Sequence, residues 1–191
     1  MLTIGIILGS TRPHRVGDQV ARWVHEHASR RTDARFELID LRDHPLPLLD
    51  EPLPPSLGRY EHEHTRRWAE TIAAYDGFVI VTPEYNHGIP GVLKNALDYL
   101  YAEWNNKALG LVSYGVAGGV RSAEQLRLVA AELQMADVRQ QVTLSLHTEF
   151  ENFSVFRPAD HNLRALDTTL DQVVAWTTAL APLRATAAVT T

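Results

Sequence analysis

Three short segments of this chain combine the residue types that could hold an anionic, ring-bearing ligand. The first is Gly9-Ser10-Thr11-Arg12-Pro13-His14-Arg15-Val16-Gly17, between an apolar run and a helical pattern. Glycine permits close backbone approach, hydroxyls and helix-start amides donate hydrogen bonds, and two arginines supply charge. These are the ingredients of a phosphate site at a helix N-terminus. Neither the GxxxxGK[ST] pattern nor the GxGxxG fingerprint is present, and the plainer reading is an ordinary strand-to-helix turn with solvent-facing arginines. The second segment is Pro83-Glu84-Tyr85-Asn86-His87-Gly88. Pro83 forces an extended approach, Tyr85 offers a flat face and a hydroxyl, and Asn86 both donates and accepts. Backbone amides around Asn86, His87 and Gly88 could reach polar ring edges. The plainer reading is a tight turn whose tyrosine packs on the sheet and whose asparagine caps the next helix. The third is Ser113-Tyr114-Gly115-Val116-Ala117-Gly118-Gly119, where three glycines in five residues allow left-handed backbone and amides aimed at a ligand. Those glycines could equally do no more than relieve crowding between a strand and a helix.

The elements that must position these loops follow from hydrophobic patterning. Apolar runs alternate with helical patterns, which implies an α/β fold with a parallel sheet. Strands are expected near Leu2–Leu8, Arg35–Leu41, Phe78–Thr82, Ala108–Ser113 and Val138–Leu146. Helices are expected near Val16–Ser29, Leu57–Ala74, Val92–Trp104, Ala123–Leu133 and Asn162–Ala181. Leu126, Val129, Ala130 and Leu133 recur at helical spacing, as do Leu163, Leu166, Leu170, Val173 and Val174. The first, third and fourth strands are nearly continuous in apolar residues, so helices should cover both their faces. The second and fifth alternate, as edge strands do. This distribution agrees with strand order 2-1-3-4-5, in which all three loops leave the carboxyl ends of central strands and ligands bind in the crevice beyond them. Residues 1–184 read as one domain and 185–191 as a frayed tail.

Composition narrows the chemistry further. A net charge of −5 with no long basic run gives no reason to expect a nucleic-acid partner. The chain has no cysteine, which excludes disulfides, thiolate nucleophiles and Cys-ligated metals, so any redox chemistry must come from a bound cofactor. The first eight residues lack the basic start and cleavage pattern of a secretion signal. No apolar stretch is long enough to span a bilayer. The expected address is the cytoplasm.

Gly9-Ser10-Thr11-Arg12, Pro83-Glu84-Tyr85-Asn86 with Gly88-Ile89-Pro90-Gly91, and Leu93-Lys94-Asn95-Ala96-Leu97-Asp98 resemble the NAD(P)H-dependent FMN reductase family. That family includes quinone, azo-dye and chromate reductases. The resemblance implies a flavodoxin-like fold, bound FMN, NADPH or NADH as hydride donor, a small-molecule electron acceptor, and a homodimer or homotetramer. It implies that Ser10, Arg12 and the turn of Arg15, Val16 and Gly17 hold the FMN phosphate. Pro83, Glu84, Tyr85 and Asn86 would line the isoalloxazine, with main-chain amides meeting N5 and O4. Ser113, Tyr114 and Gly115 would begin the loop flanking the opposite side of the ring. One departure stands out: many relatives carry a serine near the position of Gly17, so a hydroxyl is missing here and Asp18 sits close by. The mechanism implied takes place at flavin N5 and uses no catalytic side chain.

Other signals carry less. Glu61-His62-Glu63-His64 is not HExxH, and on a helix His62 and His64 would point apart; a solvated helix start accounts for it. Trp23, Trp68 and Trp176 are expected to pack helices on the sheet. Tyr99, Tyr101 and Trp104 are expected to form an aromatic surface beside the site, suited to a subunit contact. The competing functions are a flavodoxin-type electron carrier, for which the surface charge is too mildly acidic, and a non-catalytic nucleotide-binding module.

Overall fold

The structure is a computed structural model that describes residues 1–187 of 191. Five parallel strands form one sheet: β1 (Leu2–Leu8), β2 (Ala34–Asp40), β3 (Gly77–Pro83), β4 (Ala108–Gly115) and β5 (Ala136–Ser145), in the order β2-β1-β3-β4-β5. This is the flavodoxin-like arrangement. Its physical cause is visible in burial. Every residue of β3 and β4 is buried, whereas β2 and β5 alternate buried and exposed positions.

Two helical layers supply that burial. On one face α1 (Gly17–Ala28) and α5 (Asp160–Ala187) set Val20, Val24, Leu166, Leu170 and Val173 against Ile4, Ile6, Val79, Val81 and Val112. On the other, α2 (Glu63–Ala73), α3 (Gly91–Asp98) and α4 (Val120–Glu132) cover Ile7, Phe78, Ile80, Leu109 and Leu111 with Trp68, Leu93, Leu97 and Leu126. Among the described residues, no helix is long and apolar enough to cross a membrane.

Several expectations are corrected. The second helix starts at Glu63, because Pro54 and Pro55 confine the chain to a 3-10 turn over Pro55–Leu57, which Gly58 ends in the left-handed region. The third helix stops at Asp98. Trp104 Nε1 then donates to the Leu97 carbonyl (3.2 Å) from a separate 3-10 turn, Ala102–Trp104, satisfying a helix-end acceptor. Tyr99 and Trp104 are fully buried, and Trp104 packs on Phe78 at a ring distance of 5.1 Å near the amino end of β3. They therefore form core and not an aromatic surface beside the site. Trp68 is buried as expected, but Trp176 is half exposed on the outer side of α5. Helix α5 continues through Ala187 despite Pro182, so residues 185–187 of the segment expected to fray are helical. The remainder of that segment, 188–191, lies outside the described residues. A small antiparallel hairpin, β6 (Phe150–Glu151) and β7 (Val155–Phe156), was not anticipated. It sets Phe150 against Phe156 (5.0 Å) and against Tyr114 (6.4 Å).

Candidate functional site

The loops after β1, β3 and β4 meet at the carboxyl end of the sheet, and specific contacts join them. The Ser10 and Tyr85 hydroxyls lie 2.8 Å apart, linking the first loop to the second. The Glu84 amide donates to the Tyr114 carbonyl (3.1 Å), linking the second to the third. The Glu84 carboxylate accepts from the Arg121 amide (3.1 Å) and Nε (2.8 Å). Glu84 thus places a negative charge at the N-terminus of α4, where the helix dipole favours it, and it is a clamp between loops instead of a ring contact through its carboxylate.

In the first loop the two arginines have different surroundings. Arg15 is buried, and its guanidinium lies between Asp18 and Asp40 while also donating to the Ser10 carbonyl. Burial disfavours the charge, but hydrogen bonds to Asp40 and Asp18 outweigh it and raise the pKa. Burial would likewise raise the Asp40 carboxyl, yet the Arg15 side chain and the Arg42 amide hold it below the usual carboxylate range. The Arg15 side chain therefore shapes the loop from beneath, so what the Arg15–Gly17 turn can offer a phosphate is its backbone amides. The same pairing neutralises Asp18, whose Oδ1 lies 2.7 Å from Arg15 Nη2. Arg12 is exposed, with its side chain uncommitted among the described residues, and Arg42 Nη2 donates to its carbonyl (2.7 Å). Sequence reasoning missed Asp40 and Arg42. The signal was available: Asp40 ends β2, and the order 2-1-3 sets that end beside the exit of β1.

The second loop is a two-residue hairpin turn. Tyr85 and Gly88 exchange both backbone hydrogen bonds (3.0 Å each), and Asn86 (φ 50°) and His87 (φ 66°) occupy the left-handed region, the pattern of a type I′ turn. Gln125 holds this turn from α4, donating to the His87 carbonyl (3.0 Å) and accepting from the Ile89 amide (3.3 Å). Amides of Glu84, Tyr85, Gly88 and Ile89 are consumed within the protein. Among the described residues the amides of Asn86 and His87 have no acceptor, so Gly88 drops out of the expected set of donors. Asn86 does not cap α3, whose N-cap position is Pro90 without a side-chain bond. In the Leu93–Asp98 motif, Leu93 packs beneath Gly9 of the first loop, Lys94 pairs with Asp98 (2.6 Å), and Asn95 holds the 47–49 segment through Pro47 and Leu49.

The third loop turns through Gly118 and Gly119, both at φ 71°. A side chain at Gly119 would stand 2.7 Å from the Tyr114 amide, so glycine is required there. Ser113 is buried and donates to the Gly118 carbonyl (2.7 Å), which fixes the loop without presenting its hydroxyl. Val116 and Ala117 are exposed, and among the described residues their amides have no acceptor. The His62 and His64 rings stack (5.2 Å between centroids) because His62 precedes α2, so the argument from helical spacing fails. His64 bonds Asp50 (2.9 Å). Among the described residues no group of three or more His, Cys, Asp or Glu is placed to hold a metal.

Unused amides on two facing loops, a free arginine beside a helix N-terminus, and glycines where side chains would intrude suit a flat, phosphate-bearing cofactor. The donors fit FMN: charge and helix amides at one end, main-chain N–H groups toward a polar ring. Fold and site thus define a cofactor-binding protein of the flavodoxin-like class.

Comparisons with known proteins agree. The NADPH-dependent FMN reductase family matches residues 2–149, and this chain belongs to that family. It is 50% identical over 132 residues to an NAD(P)H-dependent FMN reductase of Schizosaccharomyces pombe, an alignment spanning 68% of this chain and 66%, just under two thirds, of that protein. It is 30% identical to a 2-hydroxy-1,4-benzoquinone reductase of Burkholderia sp, across 92% of this chain and 96% of the relative. Its fold matches FerB, a flavoenzyme NAD(P)H:(acceptor) oxidoreductase from Paracoccus denitrificans, with a TM-score of 0.72 at 20% identity over 93% of this chain and 98% of the other.

Proposed function

We propose that the protein binds FMN across the three loops and transfers electrons from NADPH or NADH to quinones or similar small acceptors. The observation that carries this reading is the convergence of Arg12, the α1 N-terminus and the unused amides of Asn86, His87, Val116 and Ala117 at one end of the sheet. Similarity to a benzoquinone reductase over nearly the whole chain supports the acceptor class. Residues 1–184 act as one FMN-binding domain in this reading. A homodimer or homotetramer, as the family resemblance implies, is the proposed assembly, and the cytoplasm is the proposed compartment.

Bound FMN would supply a two-electron relay between donor and acceptor. The chain's own residues bind and orient. Arg12, Ser10 and the amides of Val16 and Gly17 hold the phosphate, with Arg15 fixing the loop beneath them. Pro83, Glu84, Tyr85 and Asn86 form one wall of the ring site. Ser113, Tyr114 and Gly115 begin the other wall, whose outer amides stabilise negative charge at the ring edge. No side chain needs to move a proton.

Two measurements test this. FMN added to the purified protein should bind, be bleached anaerobically by NADPH or NADH, and be reoxidised by benzoquinone. Binding without bleaching would leave an electron carrier. Arg12→Ala should weaken FMN binding about ten- to a hundredfold while sparing riboflavin, which lacks the phosphate. Equal losses for both ligands would show that Arg12 does not touch it.

A further inference from the structure

One buried group is left without a partner at the mouth of α1. Tyr114 is 4% exposed, its ring is covered by the β6–β7 hairpin through Phe150, and its hydroxyl makes no hydrogen bond. A buried hydroxyl left unpaired has lost its hydrogen bonds to water without replacement, a cost that phenylalanine would avoid. The position of this oxygen is informative. A Cβ built on Gly17 would stand 2.4 Å from it and 3.2 Å from Tyr114 Cζ. Helical Cα–Cβ bonds lean toward the N-terminus, so the oxygen lies toward the open end of α1 and occupies the space of a side chain at position 17. Gly17 is thus the residue that admits the hydroxyl.

What surrounds this oxygen favours an anion. α1 has no side-chain cap; Gln19 of its first turn donates to the Val16 carbonyl (3.0 Å), while the Gly17 and Asp18 N–H groups have no acceptor within the helix. Tyr85, Arg15, Arg12 and Asp18 all act electrostatically on the phenol, and Asp18 is already paired with Arg15. Burial pushes the phenol up, so it stays protonated and can donate at neutral pH. We propose that the Tyr114 hydroxyl, reaching from β4 through the space that Gly17 leaves, is a hydrogen-bond donor to the phosphate of bound FMN. This rests on the FMN reading above. It moves Tyr114 from the ring wall to the phosphate end, and it supplies the hydroxyl that the first loop lacks.

The test compares FMN and riboflavin titrated into the full chain freed of flavin, by quenching of flavin fluorescence. Tyr114→Phe should weaken FMN about tenfold and change riboflavin less than twofold. The flavin-free variant should melt at or above the wild-type temperature, because an unpaired hydroxyl has been removed. Gly17→Ala, which displaces the hydroxyl while retaining Tyr114, should produce the same FMN-selective loss. Unchanged FMN affinity in Tyr114→Phe, or equal losses for both ligands, overturns the proposal and leaves the FMN reading intact. Wild-type protein that binds neither ligand overturns that reading and the proposal together.

Discussion

Tyr114 at the carboxyl end of the sheet and Thr177 at the amino end present the same local oddity. Each has a buried hydroxyl without a partner, and each hydroxyl stands where a glycine's side chain would be: 2.4 Å from a Cβ at Gly17 and 2.5 Å from one at Gly77. Their surroundings separate them. Thr177 lies within α5, where neighbouring threonines bond their own helix, Thr169 to Ala165 and Thr178 to Val174 (2.8 Å each). A rotation about χ1 gives Thr177 the same option. The Tyr114 hydroxyl has no partner among the described residues, and it faces a helix start without a side-chain cap beside Arg12. An orphaned hydroxyl is therefore not a site by itself; the groups it faces decide.

The comparison can be broken or sharpened at several points. Arg15→Ala strands Asp40 and Asp18 beneath the first loop and should cost the flavin-free protein about 3 kcal/mol in urea denaturation. Arg12→Ala should leave that stability within about 0.5 kcal/mol. If the two arginines behave alike, the division between a supporting and a ligand-facing arginine fails. Glu84→Gln removes the charge that joins the second loop to α4, and should lower stability by about 1–2 kcal/mol in the same assay. A smaller effect belongs to the amino end, where Lys107 donates to the Ile72 carbonyl and burial pushes its pKa down to about 8. Unfolded lysine titrates near 10.4. Between about pH 8 and 10 the unfolded chain therefore binds more protons, and stability should rise with pH by an amount of the order of 1 kcal/mol. Lys107→Met should abolish that rise, measured as denaturation midpoints across the range. Thr177→Val comes last: stability equal to wild type or up to about 1 kcal/mol higher, with FMN affinity unchanged. A loss of FMN affinity in this variant would erase the contrast with Tyr114.

How much of this could be read from residues alone depended on the range of the interaction. Strands β1, β3 and β4 were legible because both faces are covered, so their residues run apolar without interruption. The edges β2 and β5 were legible from alternation. The late start of α2 was concealed because Leu57 looks helical until Pro54 and Pro55 are weighed. The β6–β7 hairpin was concealed because its turn places Asn152 and Phe153 at positive φ without a glycine to mark it. The three loops could be located, but the roles within them could not. Arg15 and Glu84 carry the right chemistry to touch a ligand, and each is committed instead to a partner brought close by the sheet order: Asp40 across β2–β1, Arg121 across β3–β4. A sequence displays the charges and omits the pairings.

The two arginines that grip the first loop from below and from the side have a kinetic consequence. Arg15 holds the Ser10 carbonyl and Arg42 holds that of Arg12, so residues 10–12 lose their conformational freedom when the chain folds and not when a ligand arrives. Association at such a loop should follow one exponential phase whose rate rises linearly with ligand concentration, since no slow ordering step remains to limit it.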